Sequence, residues 1–238
     1  MSRIGWVVDV QHDFMTPAAE GGRLYVHDLF DAADPGAAQA LPAIARTAAW
    51  MRASCDVTVF TGDWHAHGDR EIDAVAPDAT KATYPPHCMG LSDDPAERAG
   101  AALVAAVAPD DPLVLGRDAT AEEAQRTAQR ALAERRAVFV HKHEFSVFEG
   151  NPGADAFVRA LADGVGGDPE FVVCGVATDV CVKAAVDGLL ARGRRVAVVT
   201  DATWGLGLER DEALFARWAA AGARLVTSDR LDAAHAGG

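Results

Sequence analysis

The chain alternates short runs of β-branched residues with longer alanine-rich stretches, and this alternation restricts the fold more than any other feature of the sequence. β-Branched side chains suit strands, whereas alanine is the best helix former. Such alternation indicates parallel strands that are joined by crossover helices. We therefore expect a three-layer α/β fold, in which helices cover both faces of a six-stranded, open, parallel, Rossmann-like sheet. The predicted strands are residues 4–10, 56–61, 137–141, 171–176, 195–201 and 223–227.

Five helices are predicted between these strands, at residues 37–53, 120–135, 153–161, 179–192 and 209–221. Thr120 and Glu123 have the spacing of a capping box, and Gly193 and Gly222 are helix-stop signals. Residues 113–115 are at most a minor extra strand. No internal repeat divides the 238 residues, so we expect one domain over residues 1–238.

Composition and charge narrow the range of partners. Half of the residues are hydrophobic, which suffices for a sizeable core, and the formal net charge is −13. This charge repels phosphate backbones and anionic lipids, so we expect no nucleic-acid or membrane partner. No apolar run has the length of a membrane span, and Asp9 comes too early for a signal peptide. We expect a cytoplasmic protein whose four cysteines are reduced.

Polar residues follow the predicted strands at their carboxyl ends, where open parallel sheets bind ligands. Asp9 follows the first strand, Asp63 and His65 follow the second, Lys142 follows the third, and the fourth leads to Cys181. Four of these residues have an ordinary structural alternative. Asp9 can cap a turn, Lys142 can be a solvated charge, and Asp63 and His65 can be ordinary polar residues of a loop. Because all of these residues are predicted to lie at the same edge of the sheet, we favour a functional site there.

Cys181 is the candidate nucleophile. It follows an apolar strand and a turn of small residues, in the first turn of a predicted helix. The partial positive charge and free N–H groups of a helix N-terminus favour a thiolate and can hold an oxyanion. A lone cysteine is also a common small core residue, so its position alone leaves both roles open.

Asp63, His65 and His87 are candidate metal ligands. Asp63 and His65 share a face if their segment is extended, and two prolines stiffen the approach to His87. One carboxylate and two imidazoles suit Zn, Fe(II) or Mn better than Ca or Mg, and Zn is the first expectation. Cys88 is an alternative soft ligand, although neighbouring residues usually point apart, and His67 is a weaker fourth candidate.

Together these motifs resemble the cysteine hydrolases of the isochorismatase-like superfamily, and the metal pattern is most similar to that of nicotinamidases. The similarity keeps the order of all the motifs from about residue 4 to about residue 228. The motifs are Asp9-x-Gln11-x-Asp13-Phe14, Asp63-Trp64-His65, Tyr84-Pro85-Pro86-His87-Cys88, Lys142, and Gly175-Val176-Ala177-Thr178-Asp179-x-Cys181-Val182.

The resemblance implies the isochorismatase-like hydrolase fold and a catalytic triad of Asp9, Lys142 and Cys181. It also implies a cis peptide bond between Val176 and Ala177, with the N–H groups of Ala177 and Cys181 as the oxyanion hole. In this chemistry Lys142 lowers the pKa of the thiol, and Asp9 passes the thiol proton to the leaving amine. Cys181 forms a thioester with the acyl group.

The resemblance further implies a substrate and the residues that bind it. A divalent transition metal on Asp63, His65 and His87 would hold the pyridine nitrogen, and Phe14 and Tyr84 would be aromatic walls of the pocket. The implied activity is hydrolysis of a small heteroaromatic primary amide, such as nicotinamide, to an acid and ammonia. Family members are often oligomeric, so a homo-oligomer is a further expectation.

The pocket loops depart from the nicotinamidase pattern. Tyr84 stands where tryptophan is common, the segment after His65 lacks a second histidine motif, and residues 89–95 differ from the usual run. One alternative is an isochorismatase-type vinyl-ether hydrolase, or another small-molecule hydrolase of the superfamily, which needs no such metal set. Another is a binding protein that keeps the fold without catalysis.

The remaining polar residues have simpler interpretations. Gln11 and Asp13 are expected to support the site from behind, whereas Glu71 and Asp73 are expected to be solvated loop residues. The other histidines form no pattern and are expected at the surface or behind the site: His12, His27, His141, His143 and His235.

Overall fold

A computed structural model describes residues 1–166 and 168–231, and a parallel sheet forms the centre of the fold. In chain order its strands are β1 (Arg3–Val8), β2 (Val57–Asp63), β3 (Leu113–Leu115), β4 (Val138–Lys142), β5 (Glu170–Val176), β6 (Arg195–Trp204) and β7 (Arg224–Val226). They lie in the order β3-β4-β2-β1-β5-β6-β7, and all neighbours are parallel. The predicted α/β fold with an open parallel sheet is confirmed.

The described residues form a sheet of seven strands, so the prediction of six is wrong. The extra strand is β3, at the edge of the sheet, where Leu113 pairs with Val138 and Leu115 with Val140. Three residues are too few for a hydrophobic pattern to define a strand, so β3 depends on its pairing with β4. The first strand also ends earlier than predicted, because Asp9 has a φ of +51°.

Helices cover both faces of the sheet. They are α1 (His12–Met15), α2 (Leu41–Ser54), α3 (Pro95–Gly100), α4 (Ala121–Glu134), α5 (Val147–Gly150), α6 (Ala154–Gly164), α7 (Lys183–Ala191) and α8 (Asp211–Ala220). Trp6 of β1 belongs to the apolar cluster with α4, α6, α7 and α8, whereas Val7 belongs to the cluster with α2. Because successive strand residues point to opposite faces, the sheet separates two cores.

Local signals set the ends of the helices. The Thr120 hydroxyl accepts a bond from the Glu123 N–H at 3.2 Å, and the Glu123 carboxylate accepts one from the Thr120 N–H at 2.8 Å. This confirms the predicted capping box of α4. Gly193 and Gly222 have φ values of +68° and +93° beyond α7 and α8, as expected of helix stops.

Three predicted helices have other bounds in the structure. The helix expected at 37–53 begins as a 3-10 turn over Ala37–Gln39, and α2 follows it. The one expected at 153–161 continues to Gly164, and the one expected at 179–192 begins as a π-helical turn over Thr178–Val182. Within the described ranges, no helix combines the length and the apolar character needed to cross a bilayer.

Candidate active site

Four adjacent strands bring the predicted catalytic side chains to one edge of the sheet. Asp63 ends β2 directly opposite Lys142 at the end of β4. Asp9 follows β1, and its N–H donates to the carbonyl of Thr61 in β2 at 3.2 Å. Cys181 follows β5, and it is buried together with the other three. The carboxyl ends of β4, β2, β1 and β5 therefore enclose one buried cluster.

A tight turn after β5 determines where Cys181 lies. Gly175 has a φ of +125°, and a Cβ there would collide with the backbone of β1, so only glycine fits. The peptide bond between the following two residues, Val176 and Ala177, is cis. The Ala177 carbonyl then accepts a bond from the Val180 N–H at 3.1 Å, within the π-helical turn. The turn carries Cys181 towards the end of β4.

Lys142 is the electrostatic centre of the cluster. Its ammonium lies 2.9 Å from Oδ2 of Asp9 and 3.8 Å from Sγ of Cys181, and it bonds Oδ1 of Asp63. Burial opposes the charged form, but Asp63 and Asp9 outweigh burial and raise the pKa of Lys142 well above its usual value. Lys142 is therefore a permanent cation in this site.

The two carboxylates around Lys142 have different acidities. Burial raises the pKa of Asp9, although Lys142 and the Thr61 hydroxyl, which donates to Oδ1 at 2.7 Å, act against it. Burial also acts on Asp63, but Lys142 and the nearby His65 outweigh it and lower the pKa of Asp63. Asp63 is therefore the ionised partner of Lys142, and Asp9 is the carboxyl that takes up a proton more readily.

Opposing effects act on the pKa of the Cys181 thiol. Burial raises the pKa of Cys181 well above the usual value, and Lys142 offsets only part of this effect. Asp9 and Asp63 disfavour a further negative charge in the cluster. The lowering effect predicted for Lys142 is present, but burial and the two carboxylates, which the sequence does not reveal, outweigh it. A base must take the proton during attack, and a carboxylate oxygen of Asp9 lies within 4.8 Å of the sulfur.

Asp63, His65 and His87 converge on one buried point. Oδ2 of Asp63 lies 3.7 Å from Nε2 of His65 and 3.9 Å from Nε2 of His87, and all three ligand atoms lie within 4.8 Å of one another. Ligands on a tetrahedral Zn ion are roughly 3.3 Å apart, given bonds of about 2.0–2.1 Å. Burial, with His65 beside it, lowers the pKa of His87 to about 4, so His87 is neutral. The neutral imidazole is the form that binds metals.

The other ring nitrogen of each histidine is already held. Nδ1 of His87 lies 2.8 Å from the carbonyl of Pro85, and Nδ1 of His65 lies 3.3 Å from Oδ2 of Asp69. Such bonds fix the tautomer that leaves Nε2 free for a metal. Nε2 of His65 is buried and has no hydrogen-bond partner, which is costly unless a ligand completes the site. The donor set therefore fits a divalent transition metal.

Glu71 is a functional candidate that sequence reasoning missed. It is buried, not solvated, and its Oε1 accepts a bond from the Phe145 N–H at 2.6 Å. Its Oε2 has no partner and lies 3.8 Å from Nε2 of His65. Burial and the nearby Asp63 raise the pKa of Glu71 to about 9. No periodicity in this long loop signals the burial, which depends on contacts distant in sequence.

The two weaker ligand candidates lie outside the convergent group. Sγ of Cys88 lies 3.7 Å from the carbonyl of Gly100 and is not among the convergent ligand atoms. His67 is exposed and its Nε2 lies 3.0 Å from Glu97. Asp73, in contrast to Glu71, is the loop residue that was predicted, since it accepts bonds from backbone N–H groups of the next turn.

Gln11 and Asp13 support the site from behind, as predicted. The Gln11 side chain donates to the Asp63 carbonyl at 2.8 Å and accepts from the Asp63 N–H at 2.8 Å. Asp13 accepts a bond from the Cys88 N–H at 2.7 Å, which holds the loop that carries His87. His141 stacks on Trp64 with ring centroids 3.8 Å apart, whereas His235 lies outside the described residues.

Both groups contribute a side chain to the lining of one small chamber. Its walls are largely apolar, and its polar lining comes from Asp63, His87 and Cys181. Phe14 and Tyr84, the predicted aromatic walls, both line it, and their ring centroids lie 5.3 and 6.1 Å from that of His87. The cavity holds about 30 Å³, which is room for one or two water molecules. The other lining residues are Leu24, Val26, Phe145, Ala177, Val180 and Leu206.

A buried reactive cluster and a small, largely apolar chamber at the carboxyl edge of a parallel sheet define an α/β enzyme that acts on small molecules. A family model described as the isochorismatase domain matches residues 6–230. The chain therefore belongs to the isochorismatase family, whose members are hydrolases.

Several solved structures have the same fold as this chain at low sequence identity. N-carbamoylsarcosine amidase from Thermoplasma acidophilum is 21% identical with a TM-score of 0.63, over 98% of this chain and 99% of that one. PnC1 from L. infantum in complex with nicotinate is 22% identical with a TM-score of 0.65, over 96% and 93%. Pyrazinamidase of Pyrococcus horikoshii in complex with zinc is 23% identical with a TM-score of 0.61, over 95% and 99%. No curated protein matches the chain.

Proposed function

We propose that the protein is a metal-containing cysteine amidohydrolase, which cleaves a small heteroaromatic primary amide such as nicotinamide to an acid and ammonia. The observation that carries the proposal is one chamber whose lining brings Cys181 together with Asp63 and His87. Cys181 belongs to one group, the cluster with Asp9 and Lys142, and Asp63 and His87 belong to the other, the donor set with His65. Neither structural stability nor ligand binding alone requires both.

The proposed nucleophile is Sγ of Cys181. As Sγ attacks the amide carbon, Asp9 takes the thiol proton, and Lys142 stabilises the negative charge that develops on sulfur. The N–H groups of Ala177 and Cys181, on the turn that includes the cis peptide, are the proposed oxyanion donors. Asp9 then gives its proton to the nitrogen, the C–N bond breaks, and ammonia leaves a thioester on Cys181. Asp9 next removes a proton from water, which attacks the thioester carbon. The C–S bond then breaks, the acid leaves, and Asp9 returns the proton to Sγ of Cys181.

Asp63, His65 and His87 are the residues that would hold the metal, and the unpartnered Oε2 of Glu71 lies beside them. Bound there, the metal supplies a Lewis acid that binds and orients a ring nitrogen of the substrate. Zn is the first expectation for one carboxylate and two imidazoles, with Fe or Mn as alternatives. The support is the fit of the donors, since both Nε2 atoms are free to bind and both Nδ1 atoms are held.

The lining of the chamber supports a neutral, flat substrate. Among the described residues, none that lines the chamber is Lys or Arg, so no side chain of the lining offers a countercharge to a substrate carboxylate. Phe14 and Tyr84 offer aromatic surface to a ring. An N-carbamoyl amino acid, the kind of substrate named for one fold relative, is therefore a poorer match than a heteroaromatic amide. The residues of both groups span the chain from Asp9 to Cys181, which supports one catalytic domain.

A substrate screen tests this proposal. Ammonia release is measured with nicotinamide, pyrazinamide and small aliphatic amides, on metal-stripped protein and on protein reconstituted with Zn²⁺, Fe²⁺ or Mn²⁺. We expect release from the heteroaromatic amides that falls on stripping and returns with one of the metals. Hydrolysis of aliphatic amides alone, or full activity with nicotinamide after stripping, would contradict the proposal.

A further inference from the structure

The loop after β2 returns to His65 through one carboxylate. Asp69 lies four residues after His65, and its Oδ2 is 3.3 Å from Nδ1 of that imidazole. The same oxygen accepts a bond from the Ala66 N–H at 2.8 Å, which fixes the carboxylate relative to the backbone beside His65. Asp69 is therefore the acceptor that selects the tautomer of His65 with a free Nε2.

Asp69 is in turn held by Arg117, which lies after β3, far away in sequence. The guanidinium donates to Oδ2 of Asp69 at 2.6 Å and to Oδ1 at 3.0 Å, a bidentate pair. One of these nitrogens also donates to the carbonyl of Trp64 at 2.8 Å. The side chains of Arg117 and Asp69 are 15% and 11% exposed, so solvent screens this contact little. Arg117 thus holds both the residue before His65 and the carboxylate that orients His65.

The two histidines of the donor set differ in the kind of group that holds Nδ1. Nδ1 of His87 is held by a backbone carbonyl, that of Pro85, which no side-chain substitution removes. Nδ1 of His65 is held by a side chain that depends on a second side chain. Only the orientation of His65 can therefore be changed without altering the donor set itself.

We infer that Arg117 and Asp69 are positioning residues for metal binding, and that they act as one unit, in which Arg117 orients Asp69 and Asp69 orients His65. The inference rests on the metal site of the proposed function. It assigns the edge strand β3 a role, because β3 leads directly to Arg117. Loss of a partner that orients a ligating histidine typically weakens metal affinity about 10- to 100-fold.

The test is metal affinity, measured by Zn²⁺ titration against a competing chelator on metal-stripped protein. Asp69→Asn keeps the shape of the side chain, and Arg117→Lys keeps the charge but loses the bidentate hydrogen bond. The third variant combines both substitutions. We expect each single variant to bind Zn²⁺ about 10- to 100-fold more weakly than the wild type. The double variant should be no weaker than the poorer single variant, because both act through His65. The visible spectrum of the Co²⁺-loaded protein should change in parallel.

Asp73→Asn is the matched control, since Asp73 lies in the same loop and bonds only backbone N–H groups there. It should leave Zn²⁺ affinity unchanged, and the melting temperature of each metal-free variant shows whether it folds. If Arg117→Lys fails to fold, the Zn²⁺ affinity of Asp69→Asn alone tests the inference. Wild-type Zn²⁺ affinity in folded Asp69→Asn would overturn the positioning role while leaving the proposed function intact. A wild-type protein that binds no Zn²⁺, Fe²⁺ or Mn²⁺ would instead overturn the metal site itself.

Discussion

Replacing Lys142 by methionine should show how strongly the buried cluster depends on its single cation. Lys142, Asp9 and Asp63 are each no more than 2% exposed at the side chain, and both carboxylates contact the ammonium. Removing one partner of a buried ion pair costs about 3–5 kcal/mol. Two carboxylates lose their partner here, but Asp9 already has a raised pKa and can become neutral by taking up a proton. We therefore expect Lys142→Met to lose about 3–5 kcal/mol of unfolding free energy, as for one broken pair. In a chain of 238 residues this lowers the melting temperature by roughly 6–20 °C.

The loss of unfolding free energy in Lys142→Met should also depend on pH. A raised pKa means that folded Asp9 binds its proton more tightly than the unfolded chain does. The folded state therefore loses stability as pH rises from the usual carboxyl range through the raised pKa. Without Lys142 this pKa rises further, because the cation that lowered it is gone. The difference in unfolding free energy between Lys142→Met and the wild type should therefore grow as the pH rises, first because the ionised Asp63 has no cation and then because Asp9 loses its proton beside no cation.

Urea denaturation of metal-stripped protein at several pH values measures this difference. Lys183→Met is the matched control, since the Lys183 side chain is 36% exposed and pairs with Glu209 at the surface. It should change the unfolding free energy by less than about 1 kcal/mol. The reasoning would be refuted if Lys142→Met lost no more than Lys183→Met at neutral pH, or if its loss grew as the pH fell.

Three further changes have defined outcomes. Asp63→Asn should reduce Zn²⁺ affinity by more than about 100-fold, because it removes a charged ligand rather than a supporting residue, and chelator competition measures this. Leu206→Ala should enlarge the chamber and lower the KM of ring-substituted nicotinamides relative to nicotinamide, and equal KM ratios in variant and wild type would contradict the role of Leu206 as a wall. Thr120→Ala should remove the capping box of α4 and cost about 1 kcal/mol in urea unfolding, with no effect on metal affinity.

The sequence predicted the central elements and the strand-end residues of the site. Strands that carry long apolar runs have a clear pattern, and polar residues that follow them must meet at one edge of a parallel sheet. Asp9, Asp63, Lys142 and Cys181 met there for that reason. The edge strand β3 was the exception, because its three residues carry too little pattern.

The loops and the acidities could not be predicted in the same way. The burial of Glu71 depends on contacts with the segment around Tyr84 and on the Phe145 N–H, which no local pattern encodes. The pKa of Cys181 depends on how many charges surround it and how deeply they are buried, and both follow only from three-dimensional packing. The bond between Arg117 and Asp69 links residues 48 positions apart for the same reason. Self-association and a cytoplasmic location stay predictions.

The rate of ammonia release from nicotinamide by Cys181→Ala tests the central claim most directly. Cys55→Ala is the matched control, since Cys55 is a free, half-buried thiol outside the chamber. Without the thiol no thioester forms, so Cys181→Ala should lose at least about 1,000-fold in kcat/KM while Cys55→Ala keeps the wild-type value. Zn²⁺ binding should be retained in both. Ammonia release by folded, metal-loaded Cys181→Ala at the wild-type rate would contradict the account.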